Sequence, residues 1–350
     1  MFFDTTSIYF EGQGGESLGK RGHSKDNRPD LQQMVVGAVI DENGHPICCQ
    51  MWPGNTADVN TLIPVIDSMR KRFRINRFCI VADRGMIRAK TIKELERPES
   101  EISYILGARM RKVNEIKRDV LSRRGRYKQV SLEGQGSKDP APLKVKEVWV
   151  SQNRYIVCLN TKQARKDASD RQAIVESLKD RVAKNPKQLI GNKGYRKYLK
   201  FDRNAVNIDQ SKIEAAARFD GKWVLRTNTN LASEQVALKY KELWQVEQVF
   251  RDIKSILETR PVFHQRDETI RGHVFCSFLA LVLRKELNRR LQEAGLSFEW
   301  SDIKQDLKAL QETVIQENSK RLAVRSQCLG TCGKIFQAVG VALPPTIREL

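Results

Sequence analysis

Short, mostly apolar runs separated by polar turns occupy the first third of the chain, and they predict β-strands. The runs span residues 1–10, 34–40, 46–52, 78–82 and 102–108. The run from 34 to 40 is continuously apolar, which is typical of a strand that is buried on both faces of a sheet. Residues 58–73 change to helical spacing, with Asp58 placed to cap the N-terminus of the helix. Strands separated by helices favour an α/β fold with some parallel pairing.

After about residue 110 the pattern changes, and we interpret the next stretch as an insertion between two parts of one core. Basic residues crowd positions 109–128, and Gly, Pro and Ser are frequent in 133–142. A hairpin is predicted over 145–160, followed by a basic, helix-rich stretch over 163–218.

The core is predicted to resume with a strand at 222–227 and to continue through helices at 233–257 and 268–293. The predicted division is a first core part at 1–110, an insertion subdomain at 111–220, a second core part at 221–293 and a helical C-terminal region at 294–350.

The chain is strongly basic, with 62 Lys and Arg against 42 Asp and Glu, a formal net charge of +20 and a pI of about 9.7. Lys and Arg release condensed counterions when they bind phosphates, so this excess favours a nucleic-acid partner. Ribosomal proteins, membrane-surface proteins and many nucleases share such an excess, so charge alone leaves these classes open.

Two other classes of protein are disfavoured by the composition. The seven cysteines are odd in number and lie mostly in apolar runs, which argues against a secreted disulfide framework, and the four histidines form no zinc spacing. No apolar stretch approaches the roughly 20 residues that a membrane helix needs. We therefore expect a soluble, cytoplasmic protein with reduced thiols and no membrane partner.

Three acids have positions that suit metal-dependent chemistry. Asp4 lies in the first predicted strand, Asp83 follows a buried strand, and Glu247 lies within the helix 233–257. Ligands of open α/β sheets bind at strand ends, and hard cations such as Mg²⁺ prefer carboxylate oxygens. Since the chain has 42 acids, any single one is more often a cap or a surface charge, and Asp83 also suits the start of a turn.

Four residues of the helix 233–257 are spaced to share one face. Tyr240, Glu247 and Lys254 follow one another at intervals of nearly two turns, and Arg251 is one turn beyond Glu247. A tyrosine, an acid and two cations on one face suit the binding of a metal and of a phosphate backbone beside it. A solvated amphipathic helix has the same spacing, and it remains open as the alternative.

Several segments resemble the conserved blocks of insertion-sequence transposases, the group named after insertion sequence 4. Tyr240 to Lys254 is similar to the Tyr-x2-Arg-x3-Glu-x6-Lys box of that family, except that Leu243 stands at the Arg position. Phe3 to Thr6 resembles the block around the first catalytic Asp, and Ala82 to Gly85 resembles the second Asp block. Further similar blocks are Gly22 to Leu31, Gly54 to Asp58 and Gly272 to Phe275. Their order resembles the subgroup named after insertion sequence 1634, over about residues 3–290.

The resemblance implies a DDE transposase with an RNase H-like catalytic core that a β-rich insertion interrupts. It implies that Asp4, Asp83 and Glu247 are the catalytic residues and the ligands of two Mg²⁺ ions, for which Mn²⁺ can substitute. In such enzymes the nucleophile is water and then a 3′-hydroxyl. The implied partners are double-stranded DNA, both terminal inverted repeats and target, and a second copy of the chain in an active homodimer.

The resemblance also implies residues that contact DNA. Tyr240 and Lys254 are expected to hold the transposon-end strand. The further candidates are Arg84, Arg123, Arg124 and Arg251. Some members of the family hold a flipped base with a Trp of the insertion, for which Trp149 is the candidate, but a Trp buried in the hairpin is the favoured interpretation.

Asp4 is only the fourth residue, so we expect the chain to lack the N-terminal domain with which relatives recognise their terminal repeats. Two other functions therefore stay open. One is an RNase H-like nuclease without strand transfer, which the Tyr-Glu-Lys box disfavours. The other is a truncated, catalytically impaired DNA-binding remnant, which the intact acids disfavour.

Overall fold

The computed structural model describes residues 1–97, 100–130, 143–184, 197–202, 205–317 and 320–350. The Gly/Pro/Ser-rich stretch 133–142 and the part of the helix-rich stretch at 185–196 lie outside the described residues.

The strands are β1 Phe2–Tyr9, β2 Gln33–Ile40, β3 Pro46–Pro53, β4 Phe78–Ala82, β5 Ile102–Gly107, β6 Lys128–Gln129, β7 Leu143–Val150, β8 Asn153–Asn160, β9 Leu199–Asp202, β10 Ala205–Ile208, β11 Lys222–Thr227, β12 Glu312–Glu317, β13 Lys320–Arg325 and β14 Ile347–Glu349. The α-helices are α1 Leu62–Phe73, α2 Ala89–Leu95, α3 Thr161–Lys184, α4 Gln210–Ala217, α5 Ser233–Lys241, α6 Trp244–Arg251, α7 Asp267–Glu293, α8 Trp300–Ala309 and α9 Cys332–Val339.

A central mixed sheet organises the molecule, and within the described residues its order is β3-β2-β1-β4-β5-β11-β8-β7-β6. Strands β1, β2 and β3 pair antiparallel, whereas β4 and β5 run parallel to β1. This order and these directions are those of an RNase H-like core, so the predicted fold class is confirmed. All eight residues of β2 are buried because the strand has neighbours at both edges and helices or side chains over both faces.

Helices cover both faces of the sheet, and alternate residues of each strand contact opposite layers. In β1, Phe2 packs into the cluster formed with α5, α6 and α7, and Phe3 packs into the cluster formed with α1 and α2. The helix α1 buries Leu62, Val65, Ile66 and Met69, which lie at the helical spacing recognised in the sequence. The two faces of the sheet thus have separate apolar cores.

The predicted capping role of Asp58 is wrong. Asp58–Asn60 forms a short 3₁₀ turn, α1 begins only at Leu62, and the residue before it makes no side-chain cap. The Asp58 carboxylate instead accepts a hydrogen bond from the hydroxyl of Thr5 on β1, at 2.8 Å. Since that partner is 53 residues away, local spacing could not reveal it.

The predicted continuous helix at 233–257 is also corrected. It consists of α5, a turn at Glu242 and Leu243, α6, and a π-helical turn at Asp252–Ile256. At the turn the amides of Leu243 and Val246 bond to carbonyls three residues earlier, at 3.2 and 3.1 Å. Bonding at this interval winds the chain more tightly than in an α-helix, so residues beyond the turn face a different direction from the one that regular spacing predicts.

The segment predicted as an insertion contributes strands to the central sheet. The hairpin β7–β8 pairs with β11 through β8, and β6 pairs with β7. Beyond β8, α3 packs with the β9–β10 hairpin around a small apolar cluster that includes Leu178 and Leu199. The division into domains stays a prediction.

In the C-terminal region, the helical expectation is met by α8 and α9, but a three-stranded sheet in the order β12-β13-β14 was not predicted. These strands are short and rich in charged residues, so their apolar pattern is weak. None of the described helices combines the length and the apolar composition that crossing a membrane requires.

Candidate active site

The pairing of β1 with β4 places Asp4 beside Asp83. The two strands are parallel, and Phe3 is the partner of Ala82, so the next residue on each strand is an aspartate. Phe3 and Ala82 both pack into the α1 and α2 layer. Because side chains alternate along a strand, the two aspartates face the opposite layer, where α5 and α6 lie.

Tyr240 at the end of α5 contacts this pair of acids. Its hydroxyl donates a hydrogen bond to Oδ1 of Asp83, at 2.8 Å. Burial, the negative charge of Asp83 and this hydrogen bond all raise the pKa of Tyr240 above its ordinary value, so the phenol stays protonated and remains a donor. A side chain at Gly107 on β5 would collide with the Tyr240 hydroxyl and lie 2.9 Å from the amide of Arg84. Glycine is therefore required at this position for the close approach.

Glu247 on α6 completes the predicted triad around one cleft. The cleft has a volume of about 400 Å³. Its lining includes Asp4, Asp83, Arg84, Trp223, Tyr240, Lys241, Trp244 and Glu247. On the other side of α6, Val246, Val249 and Phe250 are buried in the core and anchor the helix above the sheet. The three acids, which are separated by up to 243 positions in the sequence, thus line one cleft.

Asp4 lies in a partly buried, acidic environment. Burial raises its pKa to about 6, and the nearby charges of Asp83 and Asp58 act in the same direction. Two contacts oppose the rise, namely Lys25, whose Nζ is 3.8 Å from Oδ1 of Asp4, and the amide of Thr5, which donates to that oxygen at 2.7 Å. The negative charge of Asp4 is therefore incompletely matched by these protein groups.

Sequence reasoning missed Lys25, Thr5 and Asp58 as neighbours of the acids. The ammonium of Lys25 donates to the carbonyl oxygen of Thr5 at 2.5 Å and to its hydroxyl at 2.9 Å, and it lies 3.4 Å from Oδ2 of Asp58. Lys25 and Asp58 belong to two blocks that resemble the transposase family, but that resemblance assigns them no role. The structure shows that both blocks fold against the acid of β1.

The chemistry of the cleft suits a divalent cation, because carboxylate oxygens are the ligands that hard cations prefer. Asp4 and Asp83 are adjacent. Burial is the main cause of the raised pKa of Asp4, and the negative charge of Asp83 adds to the rise. Among the described residues, however, no three acid, His or Cys side chains are grouped closely enough to hold an ion as they stand. Glu247 in particular is exposed.

Lys254 does not join Tyr240 and Glu247 on a common stripe. Its ammonium is 2.7 Å from Oδ1 of Asp26, and a guanidinium nitrogen of Arg260 is 2.5 Å from the same oxygen. The side chains of Lys254 and Asp26 are 10% and 8% exposed. Burial lowers the pKa of Lys254, and the pairing with Asp26 opposes this. A phosphate contact by Lys254 would require this ion pair to open.

The predicted arginine contacts lie in different places. Arg84 lines the cleft, whereas Arg123 and Arg124 are exposed in the loop before β6, and Arg251 is exposed at the end of α6. They all stay candidates for phosphate contacts.

The interpretation of Trp149 as a buried residue is wrong. Trp149 is 54% exposed, and its indole nitrogen donates to Oε1 of Glu147 at 2.7 Å. Both residues point outward because they are two positions apart on β7, whereas Val148 between them is buried.

A family model described as the transposase DDE domain matches residues 1–283. The chain belongs to this family. Transposases of the family generally use divalent metal ions, and their activity implies binding to DNA. No curated protein matches the chain. Among solved structures it is similar to a piggyBac transposase, described as a synaptic complex with hairpin DNA, at 9% identity and a TM-score of 0.46. The similarity covers 85% of this chain and 48% of that transposase, so the chain spans about half of its length.

Proposed function

We propose that this DDE transposase domain cleaves DNA strands at the ends of an insertion sequence and joins these ends to target DNA. The observation that carries the proposal is the adjacency of Asp4 and Asp83 in a cleft that Glu247 also lines. We assign the chain to the insertion sequence 4 group, and to its 1634-like subgroup, on the blocks noted in the sequence. The terminal inverted repeats, the target DNA and a second copy of the chain are its proposed partners, and the cytoplasm is its proposed location.

In this proposal, Asp4, Asp83 and Glu247 hold two Mg²⁺ ions. Such ions neutralise the charge that develops in an in-line phosphoryl transfer and lower the pKa of bound water. Tyr240 fixes the orientation of Asp83 through its hydroxyl, and the amide of Thr5 fixes Asp4. Arg84 and Lys241 line the same cleft and attract the phosphates of the strand to be cut. Lys25 matches part of the charge of Asp4 and Asp58.

The proposed roles of Arg123, Arg124 and Arg251 are contacts with backbone phosphates outside the cleft, to which their exposed side chains are suited. Lys254 keeps its predicted role only if DNA separates it from Asp26. The proposed division at residues 110, 220 and 293 separates the acids of the first core part from the Glu247 helix of the second.

The test is a cleavage assay with supercoiled plasmid and with linear DNA that carries insertion-sequence ends, in Mg²⁺, Mn²⁺ or EDTA. We expect metal-dependent nicking by the wild type and none by Asp83→Ala. Asp302→Ala serves as the matched control, because Asp302 is an exposed aspartate of α8 outside the cleft.

Two outcomes would contradict the proposal. Cleavage without joining of ends would indicate an RNase H-like nuclease, whereas tight, salt-sensitive binding without cleavage would indicate a DNA-binding remnant. If Asp83→Ala lost DNA binding and cleavage together, a specifically catalytic role for Asp83 would be contradicted.

A further inference from the structure

The long helix α7 carries apolar side chains on two sides, and only one of them is buried within the part of the chain that the structure describes. Val274 and Leu281 pack into the core. On the other side of the helix, Phe275, Leu279 and Leu283 are 51%, 45% and 72% exposed. They follow one another at intervals of four residues, so they form one continuous apolar row. Single exposed apolar residues are ordinary, whereas a continuous row on one helix face indicates an interaction surface.

The residues along this exposed face are spaced symmetrically about Leu279. Gly272, Phe275, Leu279, Leu283 and Glu286 follow one another at intervals of three, four, four and three residues, so the spacing is the same in both directions along the helix. A second copy of α7 that lies antiparallel, with Leu279 against Leu279, therefore brings each Phe275 to Leu283 of the partner subunit. Gly272 then lies opposite Glu286 of the partner subunit. The face is thus complementary to itself in the antiparallel direction.

The room and the charges at the ends of the row also suit an antiparallel pair. A Cβ at Gly272 would have no atom of the described residues within 4 Å outside its own helix, so a second helix can approach closely there. Arg271 is exposed, and its distance along the helix from Leu279 is nearly that of Glu286 in the other direction. Glu286 carries a full negative charge, because Arg289 and Arg290 lower its pKa to about 2. Antiparallel pairing places Arg271 beside Glu286 of the partner subunit, whereas parallel pairing would place like charges together.

We propose that the exposed face of α7 joins two copies of this chain in solution as an antiparallel helix pair with a two-fold axis at Leu279. The inference rests on the proposed function only for the choice of a second copy as partner, and the pairing requires neither DNA nor a metal ion. A two-fold contact covers the same row on both copies and leaves none of it exposed. Since the face from Gly272 to Glu286 spans about four turns, the interface is small and the dissociation constant should be in the micromolar range.

The first test is sedimentation equilibrium of the full chain without DNA, in EDTA, from about 1 to 100 μM. We expect the wild type to pass from monomer to dimer over this range. Leu279→Lys should weaken dimerisation on the order of a hundredfold, because two ammonium groups would meet at the two-fold axis. Leu329→Lys is the matched control, since Leu329 is a 62% exposed leucine outside α7. It should change the dissociation constant by less than about twofold.

The second test uses disulfide formation to determine the direction of pairing. The background is Cys276→Ser, because Cys276 is an exposed thiol of the same helix. In that background Leu279→Cys should give a disulfide-linked dimer on mild oxidation. Leu283→Cys should not, because antiparallel copies hold these two positions about 12 Å apart along the helices, which is too far for a disulfide. The background variant itself should stay unlinked.

The outcomes separate this inference from the proposed function. A wild type that stays monomeric at 100 μM, or a Leu279→Lys variant that dimerises as well as the wild type, would overturn the inference. Equal linking by Leu279→Cys and Leu283→Cys would overturn it as well, because it indicates a parallel pair. A poorly folded Leu279→Lys would leave the decision to the disulfide test. Dimerisation through α7 without any DNA cleavage would support the inference and contradict the proposed function, whereas cleavage by a chain that stays monomeric without DNA would do the reverse.

Discussion

The cleft acids and Asp26 are held in opposite ways, although all of them lie in blocks that resemble the same family. Asp26 is nearly buried, and two cations, Lys254 and Arg260, contact one of its oxygens at 2.7 and 2.5 Å. In the cleft, Asp4 has one cation at 3.8 Å, and the hydrogen-bond partner of Asp83 is a neutral hydroxyl. The charge of Asp26 is thus matched within the protein, whereas the charge of the cleft is left for a ligand.

This difference separates structural acids from candidate functional ones better than their positions in the sequence do. Removing one member of a buried ion pair leaves an unpaired charge away from water, and that is costly to stability. Acids with unmatched charge in an open cleft contribute little to stability and are suited to bind cations. The two regions should therefore respond to mutation in opposite ways.

The largest expected effect is on catalysis, from Glu247→Gln. Loss of a carboxylate from the proposed metal site should remove several kcal/mol of transition-state stabilisation, so the cleavage rate should fall on the order of a thousandfold. Since Glu247 is exposed, thermal unfolding should be unchanged within about 0.5 kcal/mol. Glu268→Gln, an exposed acid of α7, is the control. A large loss of stability in Glu247→Gln would indicate that Glu247 is a structural acid like Asp26. It would contradict the difference drawn between the cleft acids and the Asp26 cluster.

Asp26→Ala should have the opposite effect. It leaves Lys254 and Arg260 without their shared carboxylate, so the free energy of unfolding should fall by about 3–5 kcal/mol, as measured by urea denaturation. The control is Asp30→Ala, because Asp30 pairs with Arg28 at the surface and is 59% exposed. That variant should lose less than about 1 kcal/mol. Equal losses in the two variants would show that the buried cluster is not structural.

Lys254→Met distinguishes the predicted role of Lys254 from the role its contacts indicate. It removes the charged hydrogen bond to Asp26 but keeps an apolar stem, so we expect a loss of about 1–3 kcal/mol in stability. If the role of Lys254 is to neutralise the charge of Asp26, affinity for end-bearing DNA should change by less than about twofold. A tenfold loss of affinity with unchanged stability would instead support the predicted contact with the transposon-end strand.

The smallest effect is expected from the double variant Arg123→Ala, Arg124→Ala. These exposed residues are candidates for backbone contacts, and each contact contributes about 0.9 to the slope of log affinity against log salt. The slope should therefore decrease by about 2, while the cleavage rate at saturating DNA stays the same. Lys320→Ala with Arg321→Ala, two exposed cations of β13, is the control. An unchanged slope would exclude Arg123 and Arg124 from the DNA interface.

Much of the core was predictable because its signals are local. The continuous apolar run of β2 and the helical spacing of α1 need only neighbouring residues to be recognised. The RNase H-like fold class followed from the family resemblance, and the central mixed sheet confirms it. The turn at Glu242 and Leu243 has no comparable signal, since helical residues continue on both sides of it.

The sequence by itself determined the buried strands and the basic charge, and its resemblance to a transposase family supplied the acids that are proposed to be catalytic. The tertiary structure decided which of these acids share a cleft and which are neutralised. Asp4 meets Asp83 through the pairing of parallel strands, and Lys254 meets Asp26 across 228 positions. Periodicity describes the face of a single element, whereas the partner of a charge depends on how separate elements pack, and that partner decides whether the charge stabilises the fold or stays available to a ligand.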